Sequence, residues 1–463
     1  MPRLEETIVV NRSRHDCFRY LADFSTIEQW DPGVYRAEKK TAGLPEVGTL
    51  FDVTLSSAGR RIPMHYELTE LVDDQRLELV GSVDGLSAQD VISFETVDET
   101  TTRIHYVAEL EFSGVMGAVA PALKPWLNRI GQKAVEGMAR ALEPPDALAQ
   151  RTVVDRVKER TVLPAAWDFT QRGYLKMEHK GLSEFVDGQT AVVTGPTSGL
   201  GLAAACELAR LGADLILVGR TPEKLKGAVE EITAFSGRSD DDIEVVRANL
   251  LQLQQVRRAA DQISAATDQI EILVNNAGAL FDERAETVDG HERAVAINLL
   301  CPWVLTQSLI DELDAGDGRV INVASGGMYT QPLRLDDMQY QNEPYDGPKA
   351  YARAKRGLVA LTDHWADAFE HRSITFNSMH PGWADTPGVR QSLPTFYNLL
   401  GRRLRDARMG ADTVVWLATA GAVEGVSGQF FFDRKPRPKA IFDGTQVTDD
   451  QRHRLVQWLR QQG

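Results

Sequence analysis

The region that most restricts the fold begins at Gln189, where strand-like and helix-like segments alternate. The strand-like segments are short apolar runs: Thr190–Thr194, Asp214–Val218, Ile270–Val274 and Arg319–Val323. Runs of this kind, separated by helical patterns, are typical of parallel strands that are covered by helices on both faces. The sequence therefore predicts an α/β unit, a doubly wound parallel sheet, over residues 188–463.

A glycine-rich loop follows the first of these strands. It runs Thr194-Gly-Pro-Thr-Ser-Gly-Leu-Gly201, and a helical pattern begins directly after it. Glycines allow a tight turn and a close approach of the backbone to a pyrophosphate, and the positive end of the helix faces the phosphates. The loop predicts a dinucleotide site, with the candidate residues Gly195, Thr197, Ser198, Gly199, Leu200 and Gly201.

The end of the second predicted strand indicates which dinucleotide is bound. An acidic residue at this position would bind the two hydroxyls of the adenosine ribose. Gly219 and Arg220 stand here instead, and a guanidinium suits a 2′-phosphate through charge-assisted hydrogen bonds. Arg220 therefore favours NADP(H) over NAD(H), and the alternative is that Arg220 is only a solvated loop charge.

Tyr351 and Lys355 are four residues apart, so in a helix both side chains lie on one face. An ammonium beside a phenol is expected to lower the phenol pKa, which is normally about 10. Such a phenol can give a proton to a carbonyl oxygen near neutral pH. Tyr345 and Lys349 have the same spacing but enclose a Gly-Pro pair, which disfavours a helix between them. We therefore assign the chemistry to Tyr351 and Lys355.

Six motifs in a fixed order make residues 188 to about 440 resemble a short-chain dehydrogenase/reductase. They are the glycine-rich loop, Asn275-Asn276-Ala277-Gly278, Asn298, Ser325, the Tyr351/Lys355 pair and Pro381-Gly382-Trp-Ala-Asp-Thr386. The phrases Ser325-Gly-Gly-Met328 and Gly410-Ala-Asp-Thr-Val-Val-Trp416 further resemble an orphan subgroup of that family, the "member 12" type. The resemblance implies a Rossmann fold and a nicotinamide cofactor.

The resemblance also implies a role for each catalytic candidate. Tyr351 donates the proton, and Ser325 hydrogen-bonds the substrate oxygen. Lys355 lowers the pKa of Tyr351 and holds the nicotinamide ribose, while Asn298 holds a water that links Lys355 to solvent. The remaining cofactor residues that the family pattern implies are Asn249, Leu250, Asn276, Ala277, Gly278, Pro381 and Gly382. Relatives form dimers or tetramers, so the resemblance implies a homo-dimer or homo-tetramer.

The segment from Trp383 to about Met409 is predicted to be a lid over the substrate. Its candidate lining residues are largely apolar: Thr395, Phe396, Tyr397 and Leu399. They predict an apolar small-molecule substrate. We interpret the cluster Arg402-Arg403-Leu-Arg405 as a solvated helix face rather than an anion site.

The first part of the chain alternates apolar and polar residues and predicts antiparallel strands with one wet face. A helical pattern at Arg14–Leu21 interrupts the strands, and a longer one from about Ala118 to Leu142, bent at Pro125, closes the unit. This order, with the phrase Tyr20 to Pro32, resembles the START-like polyketide cyclase/dehydrase and lipid-transport (SRPBCC) superfamily. The resemblance implies an α+β helix-grip fold with an apolar cavity. Polar candidates for that cavity are Asp31, His65, Tyr66, Glu95, His105 and Tyr106, of which half or more are expected on the surface.

These patterns predict three parts: a ligand-binding domain at 1–145, a helical connector at 146–187 and the dehydrogenase at 188–463. The net charge of −15 argues against a nucleic-acid partner. Neither a membrane-spanning apolar run nor the apolar core of a secretion signal is expected. Cys17, Cys206 and Cys301 are too scattered for disulfides or a metal site and are predicted to be buried, which fits the reducing cytoplasm.

The sequence therefore predicts an NADP(H)-dependent oxidoreductase that interconverts a carbonyl and an alcohol on an apolar small molecule. The amino-terminal domain would bind or deliver that molecule. The alternative is a lipid-binding or lipid-transfer protein whose dehydrogenase half only senses the cofactor. The complete Ser, Tyr and Lys set argues against this alternative, because a scaffold without catalysis needs none of the three.

Overall fold

The computed structural model describes residues 3–57, 60–112, 129, 131–143, 168–177, 184–387, 390, 397–398 and 400–463. The chain forms two compact units. The first consists of Met1–Asp146 with Glu178–Leu182, and the second of Ala147–Met177 with Ser183–Gly463. The described parts of the predicted connector, residues 168–177 and 184–187, therefore group with the second unit.

Seven described strands of the first unit form an antiparallel sheet in the order β1-β7-β6-β5-β4-β3-β2. Along the chain they are β1 (Arg3–Val10), β2 (Val34–Lys39), β3 (Leu50–Ser57), β4 (Arg60–Val72), β5 (Arg76–Val83), β6 (Leu86–Asp98) and β7 (Thr101–Phe112). Buried and exposed side chains alternate along β5 and the first part of β6. The predicted sheet with one wet face is confirmed.

Two helices and a closing helix cover the apolar face of this sheet. Helix α1 (Arg14–Ala22) is capped by Ser13 and buries Cys17 and Phe18, and the short α2 (Ile27–Trp30) follows it. Helix α3 (131–142) packs Val135, Met138 and Leu142 into the same core. This helix corresponds to the end of the predicted closing helix, whose earlier part with Pro125 lies outside the described residues.

Eight described strands of the second unit form a sheet in the order β10-β9-β8-β11-β12-β13-β14-β15. All neighbours are parallel except the last pair, β14 and β15. The strands are β8 (Thr190–Thr194), β9 (Asp214–Gly219), β10 (Ile243–Arg247), β11 (Ile272–Asn275), β12 (Arg319–Val323), β13 (Thr375–Met379), β14 (Phe430–Phe432) and β15 (Lys435–Pro436). The predicted doubly wound Rossmann sheet is confirmed.

Helices lie between the strands and bury an apolar core on each face of the sheet. They are α4 (Gln171–Tyr174), α5 (Gly199–Arg210), α6 (Pro222–Ser236), α7 (Leu253–Ala266), α8 (Arg293–Val295), α9 (Cys301–Ser308), α10 (Ile310–Ala315), α11 (Gly347–Ala368), α12 (Ala407–Thr419) and α13 (Asp449–Gln462). None of the helices in the described ranges is both long and apolar enough to cross a membrane.

The direction of the strand order reverses between β8 and β11, which lie side by side. In open parallel sheets, ligands bind beyond the carboxyl ends of the strands at such a reversal. Thr194 and Asn275 end these two strands, so the glycine-rich loop and the Asn-Asn-Ala-Gly motif meet at this point. The topology therefore places the predicted dinucleotide motifs together.

Candidate active site

A cleft of about 1000 Å³ opens at the carboxyl end of the parallel sheet. Every predicted cofactor residue lines it, and so do Ser325, Tyr351 and Lys355. At one end Gly195 and Gly199 adopt positive φ angles of 67° and 57°, which L side chains rarely adopt. Helix α5 starts at Gly199, so its positive end faces the cleft.

Asn276 holds the glycine-rich loop in shape. Its Nδ2 donates to the carbonyl oxygens of Thr194 (2.9 Å) and Gly195 (3.2 Å). In return, Thr194 Oγ1 accepts hydrogen bonds from the backbone N–H groups of Asn276 and Ala277, both at 3.0 Å. The side chain of Asn276 therefore shapes the cofactor site as well as lining it.

Arg220 is exposed where β9 ends and borders the cleft together with Thr221 and Lys224. Gly219 before it is buried. Lys224 lies in the first turn of α6 and adds a second positive charge beside the predicted 2′-phosphate position. Lys224 was not among the residues predicted from the sequence. Its position in the first turn of the helix that follows Arg220 and Thr221 could have indicated that it borders the cofactor site.

Asn249 lines the cleft, but its side-chain oxygen already accepts a hydrogen bond from the backbone of Leu251 at 3.3 Å. The Asn249 N–H donates to Gln255 Oε1 at 2.8 Å. Leu250 lines the same part of the cleft while packing into the core beneath it. The Asn249 amide oxygen thus shares its lone pairs with the backbone.

Helix α11 carries both Tyr351 and Lys355. It begins after Asp346, whose carboxylate accepts from the Lys349 N–H at 3.0 Å, and Pro348 occupies its first turn, where no hydrogen bond is lost. Tyr351 forms a side-chain hydrogen bond with Ser325, which lies just beyond β12. Ser325 Oγ also accepts from the Gly327 N–H at 3.2 Å, so it caps the turn that follows it as well as meeting the phenol.

The predicted effect of Lys355 on the phenol pKa is wrong for this arrangement. Burial raises the pKa of Tyr351, and the hydrogen bond with Ser325 offsets this only in part. Burial also lowers the pKa of Lys355 to about 7. Lys355 Nζ donates to the Val323 carbonyl at 2.7 Å and lies 5.8 Å from the centre of the Tyr351 ring. Desolvation disfavours the charged form of each group and is the main cause of both pKa shifts.

Asn298 lies in a π-helical turn (Ala296–Leu300) between α8 and α9 and is fully buried. Its Nδ2 donates to the carbonyls of Ala279 and Ala294, both at 2.8 Å, while Oδ1 accepts from no group among the residues that the structure describes. A Cβ on Gly278 would lie 2.6 Å from this oxygen and 3.2 Å from Lys355 Nζ. The free acceptor and the ammonium therefore converge beside Gly278, which suits the predicted bridging water.

The substrate side of the cleft is more polar than predicted. Phe281 and Trp383 line it, but so do Asp282, Arg293 and Lys349. Of the predicted lid residues, Tyr397 is described and lies 5.5 Å from the Arg390 guanidinium. Thr395, Phe396 and Leu399 lie outside the described residues.

The interpretation of the arginine cluster is wrong for one of its members. Arg402 and Arg403 are exposed, but Arg405 is buried and forms an ion pair with Asp433. The pairing was invisible in the sequence because Asp433 follows a later strand, β14. Arg405 therefore belongs to the interior behind the Pro381–Trp383 loop.

Tyr345, the competing tyrosine, lies before the start of α11 and does not face Lys349. Its hydroxyl donates to Glu292 Oε1 at 2.9 Å, while Lys349 Nζ lies 3.4 Å from Asp346. Glu292, which sequence analysis missed, also accepts from the first N–H groups of α8. Tyr345 and Glu292 therefore support the fold beside the cleft rather than the chemistry in it.

The first unit contains a buried polar cluster. Tyr106 donates to Asp90 Oδ1 at 2.5 Å, and Tyr66 also hydrogen-bonds Asp90. Burial raises the pKa of Asp90 to about 6, and burial together with the nearby Asp90 charge raises that of Asp31 to about 6. Among the other predicted polar candidates, His65, Glu95 and His105 are exposed. The cluster therefore consists of Asp31, Tyr66, Asp90 and Tyr106, with Asp90 missed in the sequence.

The three cysteines are buried as predicted, and burial raises the thiol pKa of each to about 12. Thiols of this kind are inert as nucleophiles. In the ranges that the structure describes, no three His, Cys, Asp or Glu side chains are placed to hold a metal ion.

Two family models match the chain. The short-chain dehydrogenase model matches residues 189–395, and "Polyketide cyclase / dehydrase and lipid transport" matches residues 1–143. The chain is 41% identical over 286 residues to the Bos taurus protein "Dehydrogenase/reductase SDR family member 12", which covers 59% of this chain and 89% of the relative. It is 33% identical over 257 residues to polyprenol dehydrogenase of Mus musculus, a match that covers 53% of this chain and 76% of the relative. It is 30% identical over 270 residues to retinol dehydrogenase 13 of Mus musculus, a match that covers 55% of this chain and 80% of the relative.

Proposed function

The chain belongs to the short-chain dehydrogenase/reductase family, and from this premise we propose that its second unit interconverts a carbonyl and an alcohol with NADP(H). The observation that carries the proposal is the convergence of Ser325, Tyr351 and Lys355 in the cleft that the glycine-rich loop and Asn276 also line. A dinucleotide and a carbonyl bound in this cleft would meet at these three side chains.

In the reducing direction the bound cofactor supplies the hydride to the carbonyl carbon. Tyr351 gives its hydroxyl proton to the carbonyl oxygen, and the hydrogen bond from Ser325 stabilises the charge that develops there. Lys355, whose pKa of about 7 lets it exchange protons near neutral pH, restores the Tyr351 proton and regains its own from solvent through a water held at Asn298 Oδ1. The products are the alcohol and the oxidised cofactor, and the reverse sequence oxidises the alcohol.

We propose an apolar substrate of the isoprenoid alcohol or aldehyde class. Two relatives are named for polyprenol and retinol, and Phe281 and Trp383 give the cleft aromatic walls. The first unit, which matches the lipid-transport model, would bind an apolar molecule of the same kind. The polar side chains Asp282, Arg293 and Lys349 would then lie at the oxygenated end of the substrate rather than along its chain.

The cofactor assignment is tested by the substitution Arg220→Asp. Removing the guanidinium and adding an acceptor for the ribose hydroxyls should shift the NADPH-to-NADH ratio of kcat/KM by about 100-fold, the equivalent of two charge-assisted hydrogen bonds. The readout is oxidation of each cofactor with a panel of isoprenoid aldehydes and ketones. Lys226→Asp, a charge reversal on the same helix outside the cleft, is the control. Equal ratios for both variants would contradict the role of Arg220.

A further inference from the structure

Residues 168–170 precede the sheet in sequence, yet they lie against loops at its carboxyl edge. The Phe169 carbonyl accepts a hydrogen bond from the Trp383 N–H at 2.7 Å. The Phe169 ring meets His380, Trp383 and Phe432 edge-on, with ring centres 4.7, 5.6 and 5.1 Å apart. This segment lies outside the part of the chain that the short-chain dehydrogenase model matches.

One buried guanidinium fastens the segment in place. Arg405 donates to both carboxylate oxygens of Asp433 (2.5 and 2.9 Å), to the Asp168 carbonyl (2.7 Å) and to the Thr170 carbonyl (3.3 Å). Its backbone N–H donates to the Trp383 carbonyl at 2.8 Å. Arg405 therefore joins three stretches of chain: the segment at 168–170, the loop at Trp383 and the turn after β14.

The packing around Phe169 extends to two walls of the cleft, the Pro381–Trp383 loop and the turn that begins at Ser325. A Cβ on Gly382 would lie 2.6 Å from Arg405 Nε and 2.8 Å from the Phe169 carbonyl oxygen, so this loop fits against the segment only with glycine. A Cβ on Gly326, the residue after Ser325, would lie 3.7 Å from the Phe169 ring and 3.5 Å from His380. Phe169 thus lies behind both the Ser325 turn and the Pro381–Trp383 loop.

We propose that Phe169 is a positioning residue that sets the spacing between Ser325 and Trp383 across the cleft. The inference rests on the proposed function, because it concerns the same site. The Phe169 ring lies edge-on to Trp383 on one wall and close to the space beside Gly326 on the other, so its bulk limits how near the two walls can approach. A displacement of about 1 Å at a reacting group can cost about 100-fold in rate. Residues 168–170 are then a part of the active site that a dehydrogenase unit starting at residue 188 would lack.

The test compares full-length Phe169→Ala and Phe169→Leu with Phe235→Ala. Phe235 is a partly buried phenylalanine on α6 of the same unit, and it does not line the cleft. Phe169→Ala should lower kcat/KM for the carbonyl substrate about tenfold or more, while the Kd for NADPH changes less than about threefold. Phe169→Leu should restore most of the loss because it refills the space, and Phe235→Ala should leave kcat/KM near wild type. An equal effect of Phe169→Ala and Phe235→Ala on kcat/KM would overturn the proposal.

Hydrogen exchange provides a readout that does not depend on turnover. Phe169→Ala should speed the exchange of the Trp383 and Arg405 amides, which donate to Phe169 and to Trp383, and leave those of β8 unchanged. Unchanged exchange at Trp383 and Arg405 would overturn the inference even in an active enzyme. If the wild type oxidises no NADPH while the exchange changes as expected, the proposed function fails and the structural role of Phe169 stands.

Discussion

At the scale of single residues, the catalytic centre depends on the space beside Gly278. Asn298 Oδ1 and Lys355 Nζ both lie within 3.2 Å of the position that a Cβ would take there. Neither group can move far, because Asn298 is held by two carbonyls and Lys355 by one. The absence of a side chain at Gly278 therefore leaves room for the proposed proton path.

The substitution Gly278→Ala should block that path. The added methyl group would push Asn298 away from Lys355, and kcat should fall by about 100-fold, the lower end of the range for general acid–base assistance. Steady-state kinetics with NADPH measure the effect, and circular dichroism checks that the fold is intact. Gly227→Ala, on α6 with nothing within 4 Å of the new Cβ, is the control. A Gly278→Ala enzyme with wild-type kcat would exclude a proton path through Asn298.

Single residues also show what could be read from the sequence. The order of the motifs was sufficient to predict that Ser325, Tyr351 and Lys355 share one cleft. Ser325 follows a strand of the parallel sheet, and Tyr351 and Lys355 lie near the start of a helix that packs on that sheet. The direction of the Tyr351 pKa could not be read, because it depends on burial by residues far away in the chain. Spacing predicts which side chains share a face, and only the fold sets their solvation.

At the scale of elements, the least predictable contacts are those between loops that are distant in sequence. Arg405 binds the carbonyls of Asp168 and Thr170, more than 200 positions earlier in the chain. In the sequence it looked like one of three arginines on a solvated helix. No local periodicity distinguishes a buried guanidinium from an exposed one when its partners come from other elements.

Helix α3 packs closely against the end of the short helix α2 in the first unit. At Gly137 it touches the Trp30 backbone, and a Cβ there would collide with the Trp30 carbonyl oxygen. Gly137→Ala should therefore lower the free energy of unfolding of this unit by about 2 kcal/mol, the typical cost of overpacking. Gly227→Ala, in an open helix position, should instead raise stability by about 0.5 to 1 kcal/mol.

Urea unfolding of both variants measures these changes. Because the chain has two units, pulsed hydrogen exchange of peptides from each unit keeps their transitions apart. If Gly137→Ala were as stable as the wild type, the close packing of α3 on Trp30 would be wrong.

At the scale of the whole molecule, the change of sequence pattern near residue 188 predicted two different architectures, and the structure has both. The first unit contains an antiparallel sheet with helices, and the second unit contains a doubly wound sheet. The connector could not be read in the same way, because its described residues have no periodicity of their own and take their positions from the second unit.

The first unit should respond to pH through its buried carboxyls. The pKa of Asp90 is raised to about 6 in the folded state, so the folded state binds more protons than the unfolded state between about pH 4 and 6. The free energy of unfolding should therefore fall as the pH rises through this window, by up to about 3 kcal/mol for a shift of this size. Above about pH 6 Asp90 is ionised in the folded state, so the full free-energy cost of burying its charge lowers the stability of this unit.

Asp90→Asn should remove the contribution of Asp90 to this pH dependence, because the amide stays neutral and its oxygen can still accept from Tyr106. Asp31, whose pKa is also raised to about 6 mainly by burial, should keep its own smaller remainder in the same window. Pulsed hydrogen exchange of β6 and β7 peptides across urea series at about pH 4 and about pH 7 measures it. Asp84→Asn, at an exposed turn between β5 and β6, should keep the wild-type dependence. A wild-type pH dependence in Asp90→Asn would show that Asp90 is not the titrating group.

The most direct test of the central claim is the turnover of NADPH with an isoprenoid aldehyde by Tyr351→Phe and Tyr345→Phe. Both substitutions remove one phenolic hydroxyl from a Tyr-x-x-x-Lys sequence and keep the ring. We expect Tyr351→Phe to lower kcat by about 10²- to 10⁴-fold, the contribution of a general acid, while NADPH still binds. Tyr345→Phe, which loses a hydrogen bond to Glu292, should keep kcat within about threefold of the wild type. Wild-type turnover by Tyr351→Phe would contradict the assignment of this residue as the proton donor.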